Sequence, residues 1–160
     1  MSNTKPQFKI VLHTPEIPGN TGSIGRTCVA LNAELILIKP YGFDITEKAL
    51  RRAGLDYWKH VQLKEYENWN DFLKNENPEP QHIFYFENYS DQEYFDAPFE
   101  KDCYLVLGAE TIGLPEDWYK NDPKQFYKLP MYSEHIRSLN LSNAATAVAY
   151  ECIRKINLKK

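Results

Sequence analysis

The chain alternates short apolar runs with segments of helical periodicity, and this alternation limits its folds more than any other feature. Phe8–Leu12 and Glu34–Ile38 are β-branched or leucine-rich runs closed by turn residues. Ile83–Phe86 and Tyr104–Leu107 share that character, and Phe126–Leu129 is a weaker fifth. Between them, Thr21–Leu31, Ile45–Ala53, Asn68–Lys74 and Ser142–Ile156 read as helices. A strand buried on both faces is apolar throughout, so runs of this kind separated by helices predict a parallel sheet covered by helices on both faces. Asn75-Glu-Asn-Pro-Glu-Pro80 and the stretch Asn88–Asp102 are connections and not domain linkers, because the pattern resumes unchanged after each. At 160 residues the expectation is one α/β domain over residues 1–160, with its strand order left open.

Charge and cysteine usage narrow the function classes. A net charge of -3 argues against broad, non-specific nucleic-acid binding and leaves room for a local basic patch. Cys28, Cys103 and Cys152 are widely spaced and odd in number, without metal-ligand spacing or a disulfide framework, so a reducing cytoplasm is expected. The N-terminal residues lack the apolar core of a signal peptide, and no apolar run approaches bilayer-spanning length. His13, His60, His82 and His135 show no metal spacing either, and no metal is expected.

Three segments carry polar chemistry. The first, Pro15-Glu-Ile-Pro-Gly-Asn-Thr-Gly-Ser-Ile-Gly-Arg-Thr-Cys28, follows the first expected strand. Its prolines and glycine force a bent loop, and Asn20 or Thr21 can cap the helix after it. Ile24, Cys28 and Leu31 then form the buried stripe, which leaves Arg26 pointing to solvent or to a cleft. Gly22 and Gly25 each weaken a helix interior by roughly 1 kcal/mol relative to alanine, so a ligand or another chain is expected to approach closely there. The second segment, Leu105-Val-Leu-Gly-Ala-Glu-Thr-Ile-Gly-Leu-Pro115, runs a strand into glycines and a glutamate. Ligands of open α/β sheets sit beyond the C-terminal strand ends, and Gly108 there would let backbone approach a flat group such as adenine. It is neither Gly-x-Gly-x-x-Gly nor a phosphate loop, and alone it reads equally as a plain strand exit. The third segment, Ser138-Leu-Asn-Leu-Ser-Asn143 with the alanine-rich run to Glu151, holds more capping residues than one helix start needs. A tightly packed capped helix and a turn that binds a small polar ligand both satisfy it. Ser142 has neither the Gly-x-Ser-x-Gly elbow nor the His and Asp partners of a nucleophile.

Taken together, in this order and separation, the three segments resemble the motifs of the SPOUT methyltransferases, specifically the small TrmL-like (YibK/CspR) tRNA 2'-O-methyltransferases. The likeness covers nearly the whole chain. It runs through Pro-Glu-Ile-Pro-x-Asn-Thr-Gly at 15–22, Arg26-x-Cys28 and Leu50-Arg-Arg-Ala-Gly-Leu-Asp-Tyr57. It continues through Gly108-x-Glu-Thr-x-Gly-Leu-Pro115, Leu129-Pro-Met131 and Ser138-x-Asn-Leu-Ser-Asn143. Ser23, Gly25 and Ala109 depart from the pattern, where relatives often carry asparagine, a bulkier apolar residue and proline. The resemblance implies a C-terminal trefoil knot whose loops hold S-adenosyl-L-methionine in a bent shape. Phe86, Gly108, Leu129 and Ser138 would line the cofactor site. It also implies a homodimer, each active site being completed across the interface. The expected reaction moves the cofactor's methyl group to a ribose 2'-hydroxyl at the wobble nucleotide, cytidine or a modified uridine, of leucine tRNAs. A SPOUT enzyme for another RNA position and a non-catalytic RNA-binding module of the same fold are the alternatives. Retention of Arg26 with both asparagines argues against the second.

By the same likeness, Arg26, Asn20, Glu110 and Asn140 carry the chemistry. Family models cast the arginine as general base, yet arginine's pKa above about 12 makes its neutral form scarce. Holding the adjacent phosphate and stabilising developing alkoxide charge suits its rigid fork of donors. Asn20 and Asn140 would orient Arg26 and the ribose, and Glu110 would anchor a loop or pair with a cation. Ser138 would face the cofactor, with Ser142 or Asn143 left to cap the helix. For RNA contact the best local patch is Lys48, Arg51 and Arg52, followed by Tyr57, Trp58, Lys59 and His60. Basic side chains neutralise phosphates and aromatic rings stack on unpaired bases, although a solvated helix face has the same composition. With no added RNA-binding module expected, the dimer surface would grip an exposed loop such as the anticodon loop.

Overall fold

Ile10 and Leu12 of the first strand join one core while Val11 between them joins another, because successive side chains of a strand point to opposite faces. The same division holds along the neighbouring strands, with Leu35 and Leu37 against Ile36 and Ile38, and Leu105 and Leu107 against Val106. A computed structural model describes residues 5–46 and 55–160. Its strands are β1 (Lys9–His13), β2 (Glu34–Ile38), β3 (Gln62–Tyr66), β4 (Ile83–Phe86), β5 (Gln92–Glu93), β6 (Tyr104–Leu107) and β7 (Phe126–Lys128). Its α-helices are α1 (Pro18–Leu31), α2 (Trp69–Glu76), α3 (Glu116–Asn121) and α4 (Leu141–Leu158). The strands form a single sheet in the order β3-β2-β1-β6-β4-β7-β5, with every pairing parallel.

Helices cover both faces, as the apolar runs require. Ile24 and Cys28 of α1 pack with Val148, Ala149 and Cys152 of α4 on one side. The hydroxyls of Thr27 and Thr146, 2.8 Å apart, tie these two helices together. Phe72 of α2, with Trp118 and Tyr119 of α3, covers the other side. All three cysteines are buried and free.

Several elements differ from the sequence expectation. β3 reads Gln-Leu-Lys-Glu-Tyr, a polar string placed by its backbone pairing with β2 at the sheet edge, where Lys64 and Glu65, on opposite faces, are both exposed. β5 is two residues long and falls inside the stretch expected as a connection. α3 is a further short helix after the second motif. Of the expected helix Ile45–Ala53, Ile45 and Thr46 are not helical, and the remainder lies outside the described residues, as do Lys48, Arg51 and Arg52.

The order of strands positions the site. From β1 the chain builds outward through β2 to β3, then crosses over and adds its later strands on the other side of β1. Connections from β1 and β6, neighbours in the sheet, therefore leave in opposite directions. A crevice opens beyond their C-terminal ends, where open α/β sheets hold ligands.

Candidate active site

The loops leaving β1 and β6 clamp one another through two glutamates. Glu16, after β1, accepts hydrogen bonds from the Thr111 backbone N–H at 2.8 Å and its hydroxyl at 2.7 Å. Glu110, after β6, accepts from the backbone N–H groups of Glu16 and Ile17, each at 2.8 Å, and from Asn20 Nδ2 at 3.1 Å. Thr111's hydroxyl and backbone hydrogen bonds hold the Glu16 carboxyl below the usual carboxylate range. α1 begins at Pro18, and Ile17 before it offers no side-chain cap. The Glu110 carboxylate thus supplies the negative charge that a helix N-terminus favours.

Neither Asn20 nor Thr21, the two caps that the sequence suggested, caps α1, since both lie inside it; Asn20 has another role. It sits in the first turn of α1, 8% exposed, with its Oδ1 accepting from Asn140 Nδ2 at 3.2 Å. Asn140 is the residue that caps α4, its Oδ1 accepting from Ser142 N at 2.9 Å and Asn143 N at 3.2 Å. The cap expected of Ser142 or Asn143 moves to Asn140, and Ser142 donates its hydroxyl to Asn140 Oδ1 at 2.6 Å. A relay therefore runs from the α4 cap through Asn20 to Glu110 and the start of α1.

Glycine is required where the β6 loop doubles back. A Cβ on Gly108 would lie 2.3 Å from the Gly113 carbonyl carbon and 2.4 Å from Leu114 N, both backbone atoms that cannot swing aside. Gly113 has φ 69°, in the left-handed region. Glu87, just past β4, accepts from Leu114 N at 2.6 Å and props this loop. Burial pushes the Glu87 carboxyl above its ordinary value.

A cavity of about 490 Å³ lies among these loops, within the roughly 300–1,000 Å³ typical of small-molecule sites. The four residues expected at the cofactor, Phe86, Gly108, Leu129 and Ser138, all line it, together with Asn20, Glu110 and Asn140. Leu107, Leu141 and Ala144 extend its apolar wall. Glu87, Asn88 and Arg137 also line it, and among the described residues Arg137 is the one cation in the lining. Sequence reading passed over these three and Glu16. Only Glu16 stood inside a recognised string, and nothing local told which face it would take.

Arg26 is not in the cavity wall. It is exposed on α1, about 9 Å along the helix from Asn20 at ~1.5 Å per residue, with its guanidinium carbon 5.5 Å from the centre of the Tyr57 ring. The close approach expected at Gly22 and Gly25 comes from this chain's own residues. A Cβ on Gly22 would meet Leu55 Cδ1 at 2.7 Å, and one on Gly25 would meet Trp58 Cζ3 at 2.5 Å. Among the described residues no group of three or more His, Cys, Asp or Glu side chains could hold a metal ion, and no helix is long and apolar enough to cross a membrane.

Comparison with known proteins agrees with this architecture. The profile of the SpoU rRNA Methylase family matches residues 7–150. A Listeria monocytogenes protein provisionally named a tRNA (cytidine(34)-2'-O)-methyltransferase is 46% identical over 151 residues, covering 92% of this chain and 88% of the relative. A solved structure described as giving insights into the 2-OH methylation of C/U34 on tRNA superposes with a TM-score of 0.81 at 38% identity, over 92% of this chain and 95% of that one. The SpoU methyltransferase AviRb from Streptomyces viridochromogenes, in complex with the cofactor AdoMet, superposes at 0.76 and 26% identity, over 98% of this chain and 63% of that one. Parallel sheet and C-terminal loop pocket together define a methyltransferase domain of the SPOUT class. Within that class, the chain belongs to the SpoU rRNA methylase family, and its relatives are TrmL-like.

Proposed function

We propose that this protein is a cytoplasmic, homodimeric tRNA ribose 2'-O-methyltransferase that uses S-adenosyl-L-methionine. Its target is the wobble nucleotide 34, cytidine or a modified uridine, of leucine tRNAs; position 34 is the one for which its relatives are named. One observation carries the reading. Asn20 and Glu110, 90 residues apart in sequence, and Asn140, 120 residues from Asn20, meet in one hydrogen-bonded relay on the wall that the four cofactor residues share.

The cavity fits the cofactor's parts. Phe86, Leu129 and Leu141 offer apolar surface to a purine, and Gly108 lets the strand end come close to it. Ser138, Asn88 and Arg137 add polar groups for the ribose and amino-acid portions. When bound, S-adenosyl-L-methionine supplies a methyl carbon made electrophilic by its sulfonium. The protein's task is then alignment and charge stabilisation. Asn20 and Asn140 each use one amide N–H within the chain, and the second N–H of each side chain remains to hold the ribose or the arginine. The Arg26 guanidinium pairs with the neighbouring phosphate and stabilises the 2'-oxygen as its proton leaves, a role that needs no neutral arginine.

Arg26 stands outside its own chain's cavity, which supports a dimer in which each pocket receives the arginine of the partner subunit. Exposed apolar residues beside the cavity, Ile17, Leu139 and the 79%-exposed Ile112, suit coverage by that partner. The knot belongs to the same proposal. β7 lies beyond β4 while α4 packs on α1, so residues 129–140 return past the loop that follows β6. Lys48, Arg51 and Arg52 grip tRNA phosphates in this reading.

Incubating purified protein with labelled cofactor and bulk tRNA tests the proposal. Label is expected on the ribose of the wobble nucleotide, and Arg26→Ala should abolish transfer while cofactor binding persists. A wild-type protein that binds cofactor yet labels no RNA would end the catalytic reading. Unchanged wobble ribose methylation in cells lacking the protein would remove the specific position.

A further inference from the structure

We propose that Tyr57 is a positioning residue for Arg26, its ring serving as the platform that sets the direction of the guanidinium. The inference rests on the methyltransferase reading above and deepens it. The Arg26 guanidinium carbon lies 5.5 Å from the Tyr57 ring centre, within the range of cation–π attraction. The ring is itself fixed, because Tyr57 Oη donates to the Gly22 carbonyl oxygen at 2.8 Å. Its neighbour Trp58, in the same short 3-10 helix Asp56–His60, is 5% exposed in the core and anchors the turn.

α1 is shaped to receive this turn. Gly22 and Gly25 lack the side chains that Leu55 and Trp58 would strike, so the segment presses directly on the helix backbone. Side chains of a helix lean towards its N-terminus, which brings residue i+4 over residue i. Arg26 therefore leans back over Gly22, where the phenol is bonded. An arginine on an exposed helix face samples many rotamers and must lose them when it binds a phosphate. Resting on a fixed ring, its fork of donors is already aimed. With its hydroxyl bonded to Gly22 and the guanidinium beside its ring, the half-buried Tyr57 has little left to offer an RNA base.

Single-turnover methyl transfer at saturating tRNA and cofactor, tRNA affinity, and the NMR resonance of the Arg26 Nε–H, all on the full chain, test this. Tyr57→Leu is expected to slow the single turnover about threefold to fivefold, with tRNA affinity held. Tyr57→Phe keeps the ring, frees it from Gly22 and should fall between. In an Arg26→Lys background, Tyr57→Leu should add roughly a twofold effect at most. The Arg26 Nε–H should be shifted upfield by the ring in the wild type and return to its ordinary position in Tyr57→Leu. Weaker tRNA binding with an unchanged saturated rate would show that the ring touches RNA, and overturn the proposal. So would full multiplication of the Tyr57 and Arg26 effects, or an unshifted resonance in the wild type. Should Tyr57→Leu fail to fold, the wild-type resonance and Tyr57→Phe still decide. A wild type with the shifted resonance but no methyl transfer would defeat the methyltransferase reading alone and leave the pairing of Tyr57 and Arg26 standing.

Discussion

Replacing Glu110 by glutamine keeps the length and shape of the side chain and turns one of its two acceptors into a donor. One carboxylate oxygen accepts from Glu16 N, and the other accepts from Ile17 N and Asn20 Nδ2. A glutamine can still serve Ile17 and Asn20 through its carbonyl oxygen, but its NH₂ group then faces the Glu16 N–H, donor against donor. Hydrogen bonds to a charged group contribute about 1.5–3 kcal/mol, and a carboxylate at a helix N-terminus adds about 0.3–1 kcal/mol. Water reaches this half-exposed site and replaces part of what is lost, so the expected destabilisation is about 2 kcal/mol. For a chain of 160 residues that lowers the unfolding midpoint by about 4–8 °C. The clamp also holds two cavity walls in register, and cofactor affinity should drop about tenfold, equivalent to about 1.4 kcal/mol. Thermal unfolding followed by circular dichroism, and calorimetric titration with S-adenosyl-L-homocysteine, measure the two effects. Glu110→Ala, which leaves three donors without acceptors, should lose more than Glu110→Gln. A midpoint within about 1 °C of wild type, with unchanged affinity, would refute the role assigned to the clamp.

Three further perturbations probe the same site. Gly108→Ala drives a methyl group into the backbone at Gly113 and Leu114, so a loss of about 1–3 kcal/mol in thermal unfolding and strongly weakened cofactor titration are expected. Asn140→Ala removes the α4 cap, worth about 1 kcal/mol, together with the link to Asn20, whereas Asn140→Ser restores the cap alone. Stability recovered by serine without recovery of cofactor affinity would separate the two jobs. Glu16 supplies the pH test. Its folded-state pKa is depressed by Thr111, so the clamp's contribution is present above the unfolded value of about 4.3 and is lost as pH falls through the folded one. The difference in unfolding midpoint between wild type and Glu16→Gln should therefore shrink in acid, and a constant difference from neutral pH to pH ~3 would contradict the assignment.

The fold was legible wherever a strand is buried on both faces. Leu35, Ile36, Leu37 and Ile38 of β2 are all fully buried, and a short run of that kind has few other places to go. β3 escaped notice because its partners are backbone atoms, and its Lys64 and Glu65 face water. At the site, Asn20, Gly108, Glu110, Ser138 and Asn140 of the three motifs line one cavity, while Arg26 of the first motif does not and Glu87, Asn88 and Arg137 join from outside the motifs. The wiring of the site was not legible. Asn140 caps its own helix locally, but its bond to Asn20 spans 120 residues, and no local pattern encodes that. The glycines of α1 showed that something must come close, without showing that Leu55 and Trp58 are what comes.

The Asn20–Asn140 bond also has a consequence in time. A nascent chain extended through Lys128 contains every strand of the sheet, and domains begin to fold as they are made. At that moment Asn20 still lacks its partner, and the wall formed by Arg137 to Leu141 does not exist. On the proposed function, the complete cofactor pocket would exist only once Arg137 to Leu141 and the helix after them are in place. Ligand that binds only the finished state stabilises that state selectively. The supply of methyl donor in the cell would then act on the final step of this protein's maturation as well as on its catalysis.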